Sequence, residues 1–218
     1  MDFSFTEEQN DLREAARSFL EANPSPTAEQ LAELGWVGVL QEFGFLDAAV
    51  LFEELGRVLY EGTYVADEIA AAGGGERQTL AAHALEAVGI GSKALELALE
   101  YAGGREQFGK KIGVYQAISH SLVDGYVAVE LGRSLAYWAA WCVAVDDAEA
   151  DLAVAAAKTQ ATEAAVLACE KSIQALGGIG FTWEHPLHRY YKRALWLEGA
   201  GGYGREHRAR VAASLLRS

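Results

Sequence analysis

Apolar residues recur along this chain at helical spacing almost from end to end. In "FTEEQNDLREAARSFLEA", Leu12, Ala16, Phe19 and Leu20 fall on one face. Thr6, followed three residues later by Gln9, gives a capping-box start. "NPSP" ends that helix, and Thr27 with Gln30 repeats the start signal for a short second one, closed by Gly35. A third helix, roughly 46–60, carries Val50, Leu51, Leu55, Val58 and Leu59 as its apolar stripe. The segment 61–75, "EGTYVADEIAAAGGG", finishes in a glycine triplet and reads as a linker. Beyond it the predicted helices lengthen, to about 76–102, 115–145 and 151–176, with shorter ones near 186–196 and 203–217. Val, Ile and Thr never alternate with polar residues over a strand's length, so no sheet is expected. The pattern predicts an all-α protein: a short N-terminal helical part and linker over 1–75, then a C-terminal four-helix bundle over 76–218.

Composition narrows the classes. Of 218 residues, 51% are hydrophobic and 22% charged, a globular balance. The formal charge of −13 disfavours nucleic acid, which is bound through clustered Lys and Arg. A local basic site in this acidic background therefore reads as a specific anion site. No apolar run reaches the ~18–20 residues of a membrane span. The start "MDFSFTEEQN" lacks the basic, then apolar, layout of a signal peptide. With Cys142 and Cys169 as the two cysteines, both inside helical patterns, a reduced cytoplasmic protein is expected.

One stretch departs from the helical pattern. "YAGGREQFGKKIGVYQAI", residues 101–118, joins cations, a lone Phe and glycines between two long helices. One reading is a helix–helix connection with solvated charges. The other is an anion clamp, in which Arg105 supplies a forked donor, Phe108 a stacking surface and the glycines close backbone approach. "QALGGIG", Gln174 to Gly180, is on spacing alone a helix C-cap. It lacks the strand that a dinucleotide-binding turn requires. The five histidines form no Glu-x-x-His pair, so no metal site of the ferritin type is expected. Tyr137, Trp138 and Trp141 form an aromatic stripe that suits a core or a subunit interface.

Together, "REQFG", Gln116, "CE", "QALGGIG" and the following Pro and Arg occur in an order that resembles the C-terminal domain of the acyl-CoA dehydrogenase family. "FTEEQNDLREAARSFL" and "FEELGR" resemble that family's first helical domain. The resemblance implies that Arg105 binds the pyrophosphate of FAD, typically that of a neighbouring subunit, with Gln107 and Phe108 in the same contact. It implies Gln116 in the next cofactor contact and Gln174, Gly177 and Gly178 around the adenosine end.

The pattern also departs from the family. The family's middle β domain, on the order of 100 residues, has no counterpart between the two helical parts. A gapless match places Gly201 where the family carries its glutamate base and Tyr203 at the flavin-contacting threonine. Glu198, in "LEGA", lies one helical turn early and is the candidate catalytic base; the alternative base position, in the first turn of the bundle, falls on Thr79, near Glu76. The expectation is a subunit of an FAD-dependent acyl-CoA dehydrogenase acting on a bulky, for instance steroid side-chain, acyl-CoA. It would work with a full-length partner that supplies the β domain and base, as a heterotetramer passing electrons to an electron-transfer flavoprotein. Two alternatives stay open: an assembly subunit whose flavin site has decayed, and a homo-oligomer binding another ligand between its bundles.

Overall fold

The computed structural model describes residues 5–216. Helix α1 spans Glu7–Ala22 and α2 Ala28–Glu33, each opened by a reciprocal capping box. Thr6 Oγ1 accepts from the Gln9 amide and Gln9 Oε1 from the Thr6 amide, both at 3.2 Å. A single turn α3, Val39–Glu42, precedes α4, Phe45–Arg57.

The predicted linker carries a helix of its own, α5, Tyr64–Ala71, and only the glycines at 73–75 form the connection. Burial makes this segment helical. Tyr64 and Ile69 enter the core, the Tyr64 hydroxyl donates to the Trp36 carbonyl at 2.7 Å, and Glu68 accepts from the Gly38 and Leu40 amides at 2.7 and 3.1 Å. Those tertiary bonds, which local pattern does not show, also cap α3.

Four long or medium helices follow: α6 Glu76–Gly104, α7 Gln116–Ala144, α8 Ala150–Leu176 and α9 Leu187–Gly199, with α10 Gly204–Leu215 closing the described chain. Between α6 and α7 lies a small departure from the expected absence of strands. Glu106–Gln107 (β1) pairs antiparallel with Lys110–Lys111 (β2). The two residues between them, Phe108 and Gly109, both have positive φ, +52° and +75°. That is the geometry of a tight hairpin turn, and two-residue strands are too short to leave an alternating signature.

Close contacts fix how the helices run. Gly91 of α6 lies against Val129 of α7 and Ala165 of α8, whereas Gly125 of α7 lies against Leu95 and Ala168. Moving forward on α6 is thus backward on α7 and forward on α8. The C-termini of α6 and α8 and the N-terminus of α7 therefore share one end of the bundle. Helix α9 returns from that end: Tyr190 meets Arg57 of α4, Arg193 pairs with Glu86, and the residues after α9 reach Leu80.

Helix α4 is buried along nearly its full length, charged residues included. Glu54 takes two bonds from Arg17 of α1 and an ion pair from Arg57, which also bonds Glu96 of α6. Glu53 accepts from Arg133 and from the Tyr137 hydroxyl, both on α7, at 3.0 and 2.8 Å. Buried charges persist only when paired, so this network fixes α1 and α4 against the bundle.

Candidate functional site

The sequence-predicted residues divide between the two ends of the bundle. At the hairpin end, Arg105 is the C-cap of α6, its amide donating to the Tyr101 carbonyl at 2.8 Å. Gln107 lies in β1, with its carbonyl accepting from the Tyr115 hydroxyl at 3.1 Å. Phe108, at the hairpin tip, is 92% exposed. Gln116 opens α7; Gln174 lies in the last turn of α8, with Gly177 as its C-cap and Gly178 following. The structure thus brings all seven to one end, and all are exposed.

Contacts within the chain explain only part of this set: Phe108 packs edge-on to Tyr115, ring centroids 6.5 Å apart, and Gln107 Nε2 donates to the Glu106 carbonyl at 2.8 Å. Among the described residues, Arg105, Lys110 and Lys111 enter no ion pair, although most other arginines do. A Cβ built on Gly109, Gly177 or Gly178 would meet nothing within 4 Å. Positive φ accounts for Gly109 and Gly177, but Gly178 has neither that need nor a close neighbour. Free guanidinium and ammonium groups, an exposed ring and bare backbone are the donor set a dinucleotide diphosphate takes, so these residues fit FAD chemically.

Glu198 is placed at the opposite end. It lies in the last turn of α9, half-buried. From Leu80, beside the turn after α9, to Gly104 is most of the length of α6, about 35 Å at 1.5 Å per residue. Glu198 and Arg105 of one chain therefore do not meet around one ligand group.

The turn that follows Glu198 is held by a residue the sequence reading missed. Lys158 of α8, 1% exposed, donates from Nζ to the carbonyls of Leu197 (2.8 Å), Glu198 (3.4 Å) and Gly202 (3.5 Å). It supplies both donors and positive charge where α9 leaves carbonyls unpaired. Burial lowers its pKa to about 8, with the Glu198 charge opposing that shift. The available signal was one lysine inside the alanine-rich run "DLAVAAAKTQATEAA".

Gly201, where the family's base was expected, has φ +73°, and a Cβ there would lie 2.5 Å from Leu80 Cδ2. Any side chain at that position would be strained by the positive φ and would need the end of the Leu80 side chain to shift. Tyr203 is exposed, and Glu76 pairs with Arg210 at 2.9 Å.

A cavity of about 350 Å³ lies between α4, α5, α6 and α9. Phe52, Leu55, Val65, Ile69 and Ala82 give it apolar walls, while Thr79, His83, Glu86 and Arg193 give it a polar side. His83 packs edge-on to Trp196, with ring centroids 5.7 Å apart. Its pKa falls to about 4, first because it is buried and then because Lys158 and Arg193 lie near.

The remaining predicted features are structural. Cys142 and Cys169 are buried free thiols, and burial pushes Cys169 up to about 12. Tyr137 is buried, and Trp138 and Trp141 pack against the core. Among the described residues no helix is long and apolar enough to cross a membrane.

Comparison with known proteins agrees with this architecture. Residues 75–216 match the acyl-CoA dehydrogenase C-terminal domain. Acyl-CoA dehydrogenase IpdE2 of Mycobacterium tuberculosis is 40% identical over 111 residues, 51% of this chain and 33% of its own length. This chain thus spans about a third of that relative. The crystal structure of the ChsE4–ChsE5 complex from Mycobacterium tuberculosis contains a chain similar over 100% of both lengths, with a TM-score of 0.86 and 19% identity. A variant of the Tcur3481–Tcur3483 steroid ACAD is similar over 97% of this chain and 98% of that one, with a TM-score of 0.83 and 18% identity. At those identities the two structures speak for the fold. The family match over most of the chain, on an all-α fold, shows that this protein belongs to the acyl-CoA dehydrogenase family.

Proposed function

We propose that this chain is a subunit of an FAD-dependent acyl-CoA dehydrogenase and contributes the diphosphate and adenosine side of a flavin site completed by another chain. The observation that carries this reading is the grouping of Arg105, Gln107, Phe108, Gln116, Gln174, Gly177 and Gly178 at one exposed end of the bundle, where Arg105 enters no ion pair among the described residues. Arg105 would pair with the diphosphate, Phe108 would stack on the dinucleotide, and the glutamine amides and bare glycines would meet ribose and adenine. When bound, FAD supplies the hydride acceptor for α,β-dehydrogenation of an acyl-CoA.

The partner in this reading is a full-length acyl-CoA dehydrogenase subunit, in a cytoplasmic heterotetramer that passes electrons to an electron-transfer flavoprotein. Two similar folds belong to the ChsE4–ChsE5 complex and a steroid ACAD, which favours a heteromer and a bulky, steroid-like acyl group. A base and a hydride acceptor must flank the substrate together. Glu198 lies far from the clamp on its own chain, so the base for that flavin comes from the partner. The cavity between α4, α5, α6 and α9 has the size and lining for an acyl group.

A second reading, an assembly subunit without a working flavin contact, draws on the turn after α9, where Gly201 offers no carboxylate and its positive φ disfavours any side chain. Replacing Arg105 separates the two. In the complex, Arg105→Ala should loosen flavin by about 10- to 100-fold, the equivalent of ~1.5–3 kcal/mol for a charge-assisted contact. Unchanged flavin retention, read by equilibrium dialysis against absorbance, would establish the assembly reading instead.

A further inference from the structure

Some of the polar side chains that line the cavity between α4, α5, α6 and α9 make no hydrogen bond among the described residues, His83 and Trp196 among them. Thr79, Glu86 and Arg193 are already engaged. Thr79 Oγ1 donates to the Gly75 carbonyl at 3.0 Å. Glu86 takes both Arg193 bonds, at 2.6 and 3.0 Å. Trp196 is 53% exposed, whereas His83 is half-buried and packs edge-on against it. The His83 Nδ1 is sealed in protein without a partner, whereas Nε2 is absent from the sealed, unpartnered atoms. The ring lines the cavity, so Nε2 is the nitrogen open to an occupant.

An occupant that bonds to Nε2 gains a hydrogen bond in apolar surroundings, whereas Nδ1 stays sealed and unpaired whether or not the cavity is filled. Charge narrows the occupant. The imidazole is held neutral by burial beside Lys158 and Arg193, so it offers no attraction to a carboxylate. The neighbouring Arg193 is neutralised by Glu86. What remains is a hydrogen bond to an uncharged oxygen in surroundings that otherwise select for hydrocarbon. We propose that His83 is a specificity-determining residue of this cavity, selecting an apolar acyl group that bears a ketone or hydroxyl over a plain hydrocarbon of the same shape. The inference rests on the reading of the cavity as an acyl seat and not on the flavin clamp at the far end.

The test uses two probes of one shape, 2-naphthol and 2-methylnaphthalene, and equilibrium dialysis against the full chain at neutral pH. The expected result is binding of both, with 2-naphthol preferred by about fivefold, within the range of one neutral hydrogen bond. That preference should disappear in His83→Leu while 2-methylnaphthalene binding remains. Equal affinities in the unaltered protein, or a preference that survives His83→Leu, would overturn the role of His83 but leave the cavity as an acyl seat. Binding of neither probe would overturn both. His83→Gln, which keeps a neutral hydrogen-bonding group, should retain part of the preference, and its loss there with folding intact would count against the assignment.

Discussion

Two titratable side chains toward the turn end of the bundle, half-buried His83 and buried Lys158, lie near enough for the lysine charge to act on the imidazole, and neither takes its ordinary protonation behaviour. His83 has its pKa lowered in the fold to about 4 from an ordinary value of 6.5. The unfolded chain thus takes up the proton first. His83 therefore contributes its full share of stability above pH 6.5 and loses it as pH falls from 6.5 toward 4. Over that window the loss is about 3 kcal/mol. Urea unfolding of the natural protein and of His83→Leu across that range should show the difference between them changing by this amount. A difference that stays flat with pH would mean the imidazole is solvated. At this scale the sequence was partly legible. The resemblance carried by "REQFG", Gln116 and "QALGGIG" marked seven residues that lie together at one end, because all three stretches fall at helix ends. His83 and Lys158 gave no such sign, since their properties come from what folds over them.

Among the elements, the crossing of α4 and α6 is the tightest contact. A Cβ on Gly89 would overlap the Glu53 carbonyl, and one on Gly56 would overlap the Glu86 carbonyl. Backbone rather than a flexible side chain is met at both points, so neither can give way locally. Gly89→Ala should therefore destabilise by about 1–3 kcal/mol or more through overpacking, even though alanine is the better helix former. Gly103→Ala, on the same helix with nothing within 4 Å of its Cβ, should be neutral or slightly stabilising by thermal denaturation. Equal effects at the two positions would show that the helices cross with slack. Element by element, the long helices were readable from periodicity, to within a few residues at their ends. Helix α5 and the 106–111 hairpin were not. The first is helical because Tyr64 and Glu68 find partners on α3 and its approach, and the second is too short to show a period.

For the molecule as a whole, the up-down-up course of α6, α7 and α8 determines what one chain can do. It sends the cationic hairpin and the glycine cap of α8 to one end and the Glu198 turn to the other, about 35 Å away along α6. Charge follows the same division: a protein of net charge −13 keeps Arg105, Lys110 and Lys111 unpaired at a single exposed end. All-α architecture and the absence of a β domain between the helical parts were legible from composition and pattern. The separation of the two ends was not, because it depends on helix direction and on which faces meet.

The most direct test of this division of labour is flavin content with and without a second chain. The chain should be purified alone and together with a full-length acyl-CoA dehydrogenase subunit, and flavin absorbance measured against the mass of each assembly. The account predicts a colourless chain alone and a yellow complex whose colour depends on Arg105. A yellow, active assembly of this chain by itself would contradict it, as would a complex that holds flavin equally well with Arg105→Ala.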